Sequence, residues 1–264
     1  MTDAEIPDPD PGIPVLTLRG VSKSYGGTHA VAGIDLTVPA GMYYGLLGPN
    51  GAGKTTTLSM IAGLLRPDRG EIRVGDVDLR AEPRAAKKRM GVLPDRLRTF
   101  DRLTGRQLLH YTGMLRGMRP DVVADRTADL AGALGLDDAL GRVVSDYSAG
   151  MTKKVMLAAA MIHSPQLLVL DEPFEAVDPA SAAKVLEILD AYVAGGGAVL
   201  LSSHGMDLIE QVCTRVAVLV AGQVLEEGTV HEVKGDLTLE QRFVELSGGL
   251  GEVEGLEWLQ TFSD

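Results

Sequence analysis

The chain has 264 residues, 45% of them hydrophobic, and carries 25 Lys and Arg against 36 Asp and Glu, a formal net charge of −11. That length suits one large α/β domain or two smaller ones with a substantial core, and the acidic balance argues against broad nucleic-acid binding, which needs a basic surface. A single cysteine, Cys213, excludes an internal disulfide framework and a cysteine-based metal cluster, and fits a reducing compartment.

Residues 1–12 alternate Asp and Pro and can build neither helix nor core, so a disordered tail is expected there. The same stretch lacks the basic start and apolar run of a signal peptide. No apolar run of about 18 residues occurs, so a soluble chain without a transmembrane helix is expected. From Ile13, VLTLRGVSKSY and HAVAGIDLTVPAG alternate apolar and polar positions, the pattern of half-buried strands. MYYGLLG reads as a short buried strand, followed by a helix from Lys54 to Leu65 that RPDRG ends. EIRVGDVDL predicts a hairpin turning at Gly75-Asp76.

Near Asp95 the period changes. Leu108, Leu109, Thr112 and Leu115, then Val123, Leu130 and Leu134, recur at helical spacing, which predicts a helical insert. A helix from Ala149 to His163 opens at Ser148. QLLVLDEP returns to a buried strand. A helix from Pro179 to Val193, the strand AVLLSS, a helix from Met206 and the strand RVAVLV follow. Apolar strands alternating with helices imply a mainly parallel sheet covered on both faces. LTLEQRFVELSG predicts a short helix in the C-terminal tail.

Two stretches carry chemistry. GPNGAGKT, Gly48 to Thr55, matches the phosphate-loop pattern G-x-x-x-x-G-K-[ST]. Its glycines let backbone N–H groups converge on one anion, and the following helix adds its positive end. Lys54 would reach the β- and γ-phosphates and the Thr55 hydroxyl would ligate Mg²⁺. A Gly-rich turn is the plain alternative, but the strand before, the helix after and the Lys-Thr pair favour the phosphate loop. Asp171 and Glu172 end the strand LLVLD; alone they would be ordinary turn carboxylates, but with a phosphate loop upstream Asp171 becomes a metal ligand and Glu172 the residue that positions water.

With these motifs in this order, residues 14–234 resemble the nucleotide-binding subunits of ABC transporters. The resemblance implies a P-loop NTPase core of mainly parallel sheet with an antiparallel β subdomain and an inserted helical subdomain. The core would occupy 13–94 and 164–235, the helical subdomain 95–163 and a short helical tail 236–264. ATP and Mg²⁺ are implied as ligands, with Gly48, Pro49, Asn50, Gly51, Ala52, Gly53, Lys54, Thr55 and Thr56 in the phosphate loop and Tyr25, in SKSYGG, stacking on adenine. YSAGM, Tyr147 to Met151, is similar to the family signature LSGGQ. There Ser148, Ala149, Gly150 and Met151 would contact ATP held by a second copy, paired head to tail. His204 matches the switch histidine on the γ-phosphate, Asp178 the loop between subunits, and Glu172, His204 and Lys54 are the implied catalytic set.

Three positions depart from the family pattern: Ala149 for Gly, Met151 for Gln, and Asp95 where Gln is common. Asp is shorter and anionic and only accepts hydrogen bonds when ionised; Asp95 is expected to face Mg²⁺ through a water, or else to shape the joint to a membrane partner. The resemblance implies an ATPase that dimerises, as two identical or two related chains, binds no nucleic acid, and sits on the cytoplasmic face of the membrane by way of a separate spanning subunit. The segment Arg96 to Leu103, with Phe100 and Leu103, is the expected docking surface; the alternative is that both side chains belong to the helical core. The motif stretch and tail look most like the export-type branch. A soluble ABC ATPase of iron–sulfur assembly, and a regulator that binds ATP without turnover, remain alternatives.

Overall fold

The computed structural model describes residues 13–95, 102–203 and 205–246. An antiparallel layer is built from β1 (Leu16–Tyr25), β2 (Thr28–Val38), β4 (Arg69–Val74) and β5 (Val77–Asp78), in the order β2-β1-β4-β5. The β4–β5 hairpin turns at Gly75-Asp76, as its sequence predicts. Between β2 and β4 the chain lays down β3 (Tyr43–Leu47) and α1 (Lys54–Ile61), and after β5 come α2 (Pro83–Lys88) and β6 (Met90–Leu93). Helix α1 stops at Ile61 rather than Leu65, because residues 62–65 close in tight turns.

The helical part follows: α3 (Gly105–Leu115), α4 (Pro120–Leu134) and α5 (Ala149–Met161). Each starts where its sequence caps it. Thr104 and Gln107 form a capping box ahead of α3, Pro120 opens α4, and the Ser148 hydroxyl accepts from the Met151 N–H at α5. The chain then returns through β7 (Leu167–Asp171), α6 (Pro179–Ala194), β8 (Ala198–Ser202), α7 (Met206–Val212), β9 (Arg215–Val220), β10 (Gln223–Thr229), α8 (Val230–Lys234) and α9 (Leu239–Leu246). The second sheet runs β10-β9-β3-β8-β7-β6, parallel except for the β9–β10 hairpin. Every residue of β3, β7 and β8 is buried, as unbroken apolar strands require when helices cover both faces. None of the described helices is long and apolar enough to cross a membrane.

Two packing layers flank this sheet. Leu46, Leu58, Ile61, Val169 and Leu200 face the antiparallel layer. Leu47, Leu170, Leu201, Val155 and Leu109 face the helical part. Helix α5 lies unusually close to β6: a Cβ on Gly91 would stand 2.0 Å from the Ala160 carbonyl oxygen, so only glycine fits.

Arg116 fastens the far end of the helical part to that edge, and Arg126 ties α4 to the end of α5. Arg116 donates to the Lys87 carbonyl and Arg126 to the Ile162 carbonyl at 2.9 Å. Between them His163 is buried, its Nε2–H donating to the Met90 carbonyl at 3.1 Å while Nδ1 is buried without a partner. Burial first, then the Arg116 charge, pushes the His163 pKa from 6.5 down to about 4, with Arg126 adding to the fall and the Met90 bond opposing it. The folded pKa lies below the unfolded one, so the unfolded chain binds more protons between these values, and stability is lost as pH falls through that window. Denaturant titrations should show stability dropping from pH 6.5 to 4 by an amount His163→Gln reduces, up to roughly 3 kcal/mol; identical pH profiles for the two proteins would contradict the assignment.

Candidate functional site

The strand ends that carry the motifs are neighbours. Leu46 of β3 and Asp171 of β7 both pair with Ser202 of β8, so the phosphate loop and the acidic strand end emerge side by side at the C-terminal edge of the parallel strands. That edge is where ligands bind in open α/β sheets. The Ser202 hydroxyl donates to Asp171 Oδ1, and the Glu172 N–H donates to the Ser202 carbonyl at 3.2 Å. Ser202 thus aims both acidic residues, a part that AVLLSS did not disclose because a serine at a strand end has many uses.

The loop between β3 and α1 is shaped by what its glycines avoid. A Cβ on Gly48 would meet the Leu219 carbonyl oxygen at 2.3 Å, and one on Gly53 would meet the Ala30 carbonyl oxygen at 2.3 Å. Gly51 and Gly53 also have φ of 81° and 105°, which side-chain-bearing residues rarely adopt. The Ala52 carbonyl accepts from Gly222 N–H at 2.9 Å, and the Gly222 carbonyl accepts from Ala32 N–H at 2.8 Å. Strand β2 and the β9–β10 turn therefore grip the loop from two sides.

A cavity of about 260 Å³ opens above it, lined by Pro49, Asn50, Gly51, Gly53, Lys54, Thr55 and Thr56 of the loop and helix start, by Asp95, Asp171, Glu172 and Glu175, and by Ala30. Lys54 is buried and donates to the Gly48 and Pro49 carbonyls at 2.5 and 3.1 Å. Burial lowers its pKa, against the raising influence of Glu172 and Asp171. The cradle fits a polyphosphate: glycine backbone at a helix N-terminus beside one ammonium. The donor set fits Mg²⁺ held jointly with phosphate. Among the described residues no group of three His, Cys, Asp or Glu could cage a metal, and Mg²⁺ typically takes only one or two carboxylates besides substrate oxygens and water. Thr55 and Asp171 supply a hydroxyl and a carboxylate on this cavity.

Other expected residues lie elsewhere. Tyr25 is half exposed at the end of β1, under the Lys23 ammonium at 5.8 Å, and does not line the cavity. Ser148 and Ala149 are exposed at the start of α5 and Gly150 is half-buried; none lines the cavity of its own chain. A Cβ on Gly150 would come 3.0 Å from the Ala176 carbonyl oxygen, so the bare α5 terminus seats the loop after β7. Met151 packs against the core, which explains an apolar residue there. Asp178 caps α6 by accepting from Ser181 N–H at 3.0 Å, and those hydrogen bonds hold its carboxyl below the usual range. His204, and Arg96 to Asp101 of the expected docking surface, lie outside the described residues.

Gly53→Ala should cost the protein both nucleotide binding and about 1–3 kcal/mol of stability, since a methyl must displace the Ala30 carbonyl. Thermal melting with a fluorescent nucleotide titration checks this; wild-type values for both would contradict it.

Comparisons with known proteins agree with this geometry. Residues 31–175 match the family model described as ABC transporter. The daunorubicin/doxorubicin resistance ATP-binding protein DrrA of Streptomyces peucetius is 43% identical over 218 residues, covering 83% of this chain and 66% of that protein. The Nod factor export ATP-binding protein I of Rhizobium meliloti (strain 1021) is 37% identical over 248 residues, 92% of this chain and 72% of that one. A solved ATP-binding subunit of an ABC transporter superposes with a TM-score of 0.84 at 28% identity, covering 88% of this chain and 99% of that structure. The chain spans about two thirds of the length of these two curated relatives. By sequence, site and fold, the chain belongs to the ABC transporter family as an ATP-binding cassette, the ATPase module of that family.

Proposed function

We propose that two copies, or this chain and a related one, close head to tail around two ATP molecules and that their hydrolysis drives export through a separate membrane-spanning subunit. The observation that carries the pairing is a separation: the phosphate cavity and the Ser148–Gly150 terminus belong to one chain but do not meet in it. A helix start with exposed N–H groups and a serine hydroxyl favours an anion, and a partner's γ-phosphate is the anion this family places there.

In the closed pair, Lys54, Ser148 and His204 stabilise charge on the γ-phosphate, which is where fixed donors accelerate phosphoryl transfer. Thr55 and Asp171 hold Mg²⁺, with Asp95 facing it through a water; bound there, the metal neutralises phosphate charge. Glu172 orients the attacking water and takes its proton. Tyr25 stacks on adenine from the rim, and Asp178 borders the partner subunit.

Export is supported by the relatives, one named for resistance to a drug and one for Nod factor export. Docking of the membrane subunit is supported by an apolar groove of about 440 Å³ between α3 and α4, lined by Leu103, Gln107, Tyr111 and Val123. This would hold the chain at the cytoplasmic face of the membrane.

A mixing experiment tests the pairing. Lys54→Ala and Ser148→Arg should each abolish turnover. Mixed and allowed to exchange, they should recover about a quarter of wild-type activity, because each hybrid pair contains one site with both halves intact. No recovery, with hybrids shown to form, would contradict a head-to-tail site.

A further inference from the structure

The phosphate cavity carries more negative charge than its assigned roles use. Among the described residues its lining holds four carboxylates, Asp95, Asp171, Glu172 and Glu175, against one ammonium, that of Lys54. Glu175 has no part in the reading above. The backbone nevertheless goes to some trouble to present it. Glu172 and Ala176, on either side, have φ of 50° and 60°, a left-handed conformation unfavourable for any residue with a side chain. Along this turn the Glu175 N–H donates to the Glu172 carbonyl at 3.3 Å and the Val177 N–H to the Phe174 carbonyl at 3.2 Å. Phe174 packs into the core beneath, and the Ala176 carbonyl is seated against Gly150. The loop is thus doubled back and held from both sides, with Glu175 exposed among the residues that line the cavity.

We propose that Glu175 is a specificity residue that makes the cavity select metal-complexed nucleotide and reject the metal-free polyanion. The inference rests on the cavity being the ATP site. Repulsion grows in proportion to ligand charge, about −4 for free ATP and about −2 with a divalent cation. A carboxylate at the cavity mouth therefore repels free nucleotide about twice as strongly, in free energy, as the complex. A selective site would not be filled by nucleotide lacking the metal its chemistry needs.

The test is equilibrium binding of a fluorescent ATP analogue at low ionic strength, in excess Mg²⁺ or in EDTA, to wild type, Glu175→Gln and Glu82→Gln, the last removing an equal charge from an exposed site ahead of α2. Glu175→Gln should bind about tenfold tighter in EDTA and about threefold tighter in Mg²⁺, a square-root relation set by the charge ratio, and the effect should shrink at high salt. Glu82→Gln should change neither. An unchanged preference in Glu175→Gln overturns the proposal, as does weaker binding in Mg²⁺, which would make the carboxylate a metal-side ligand instead. If wild type fails to bind even in Mg²⁺, the ATP-site reading itself falls, and the inference with it.

Discussion

The structure depends on a steric fact about two glycines. Gly48 and Gly53 pass so close to the Leu219 and Ala30 carbonyl oxygens that no side chain could be present at either position. Those two oxygens belong to different layers, β9 of the large sheet and β2 of the antiparallel one. The phosphate loop is therefore wedged between the two layers, and its shape is fixed by both. A loop held this way has its N–H groups placed before any ligand arrives, which is what a preorganised anion site requires.

The helical part is held by different means. Arg116 and His163 bind it to backbone carbonyls at the end of α2 and the start of β6, and Arg126 ties α4 to the end of α5, while the other end of α5 presents Ser148 outward. Helix α5 runs about 20 Å between these ends at 1.5 Å per residue. Its close packing on β6, which only a glycine at position 91 allows, fixes the position of its Ser148–Gly150 end. Near that end, Gly150 touches Ala176, one residue from the cavity-lining Glu175 and four from Glu172. In the proposed pair the two half-sites would face different nucleotides yet be mechanically adjacent within each chain, a physical route for one site to sense the other.

Much of this was legible in the sequence because the signals were local. Buried parallel strands announce themselves as short apolar runs, and YYGLL, LLVLD and AVLLS each form a fully buried strand. The phosphate loop was legible because its chemistry is confined to eight consecutive residues. Local rules were misapplied at the end of α1: Gly63, left-handed just past the Ala62 C-cap, is the stop signal, and the reading toward Pro67 passed over it. Also passed over were α2, β10 and α8, short elements, although Pro83 opens α2 and a Thr229–Glu232 capping box opens α8. Ser202 and Glu175 were invisible for a different reason: their importance comes from neighbours brought together across the sheet or around a loop. Asp95 was singled out only as a departure from a family pattern, and the cavity gives that departure a location beside Asp171 and Thr55.

The account stands or falls on the nucleotide being shared between two chains. The direct measurement is the sedimentation of Glu172→Gln, in which hydrolysis is stalled, across a range of protein concentrations with ATP and Mg²⁺. A nucleotide-dependent dimer, lost when Ser148→Arg is added, is the predicted result. A protein that binds ATP yet stays monomeric at every concentration, alone and with a membrane subunit present, would contradict it.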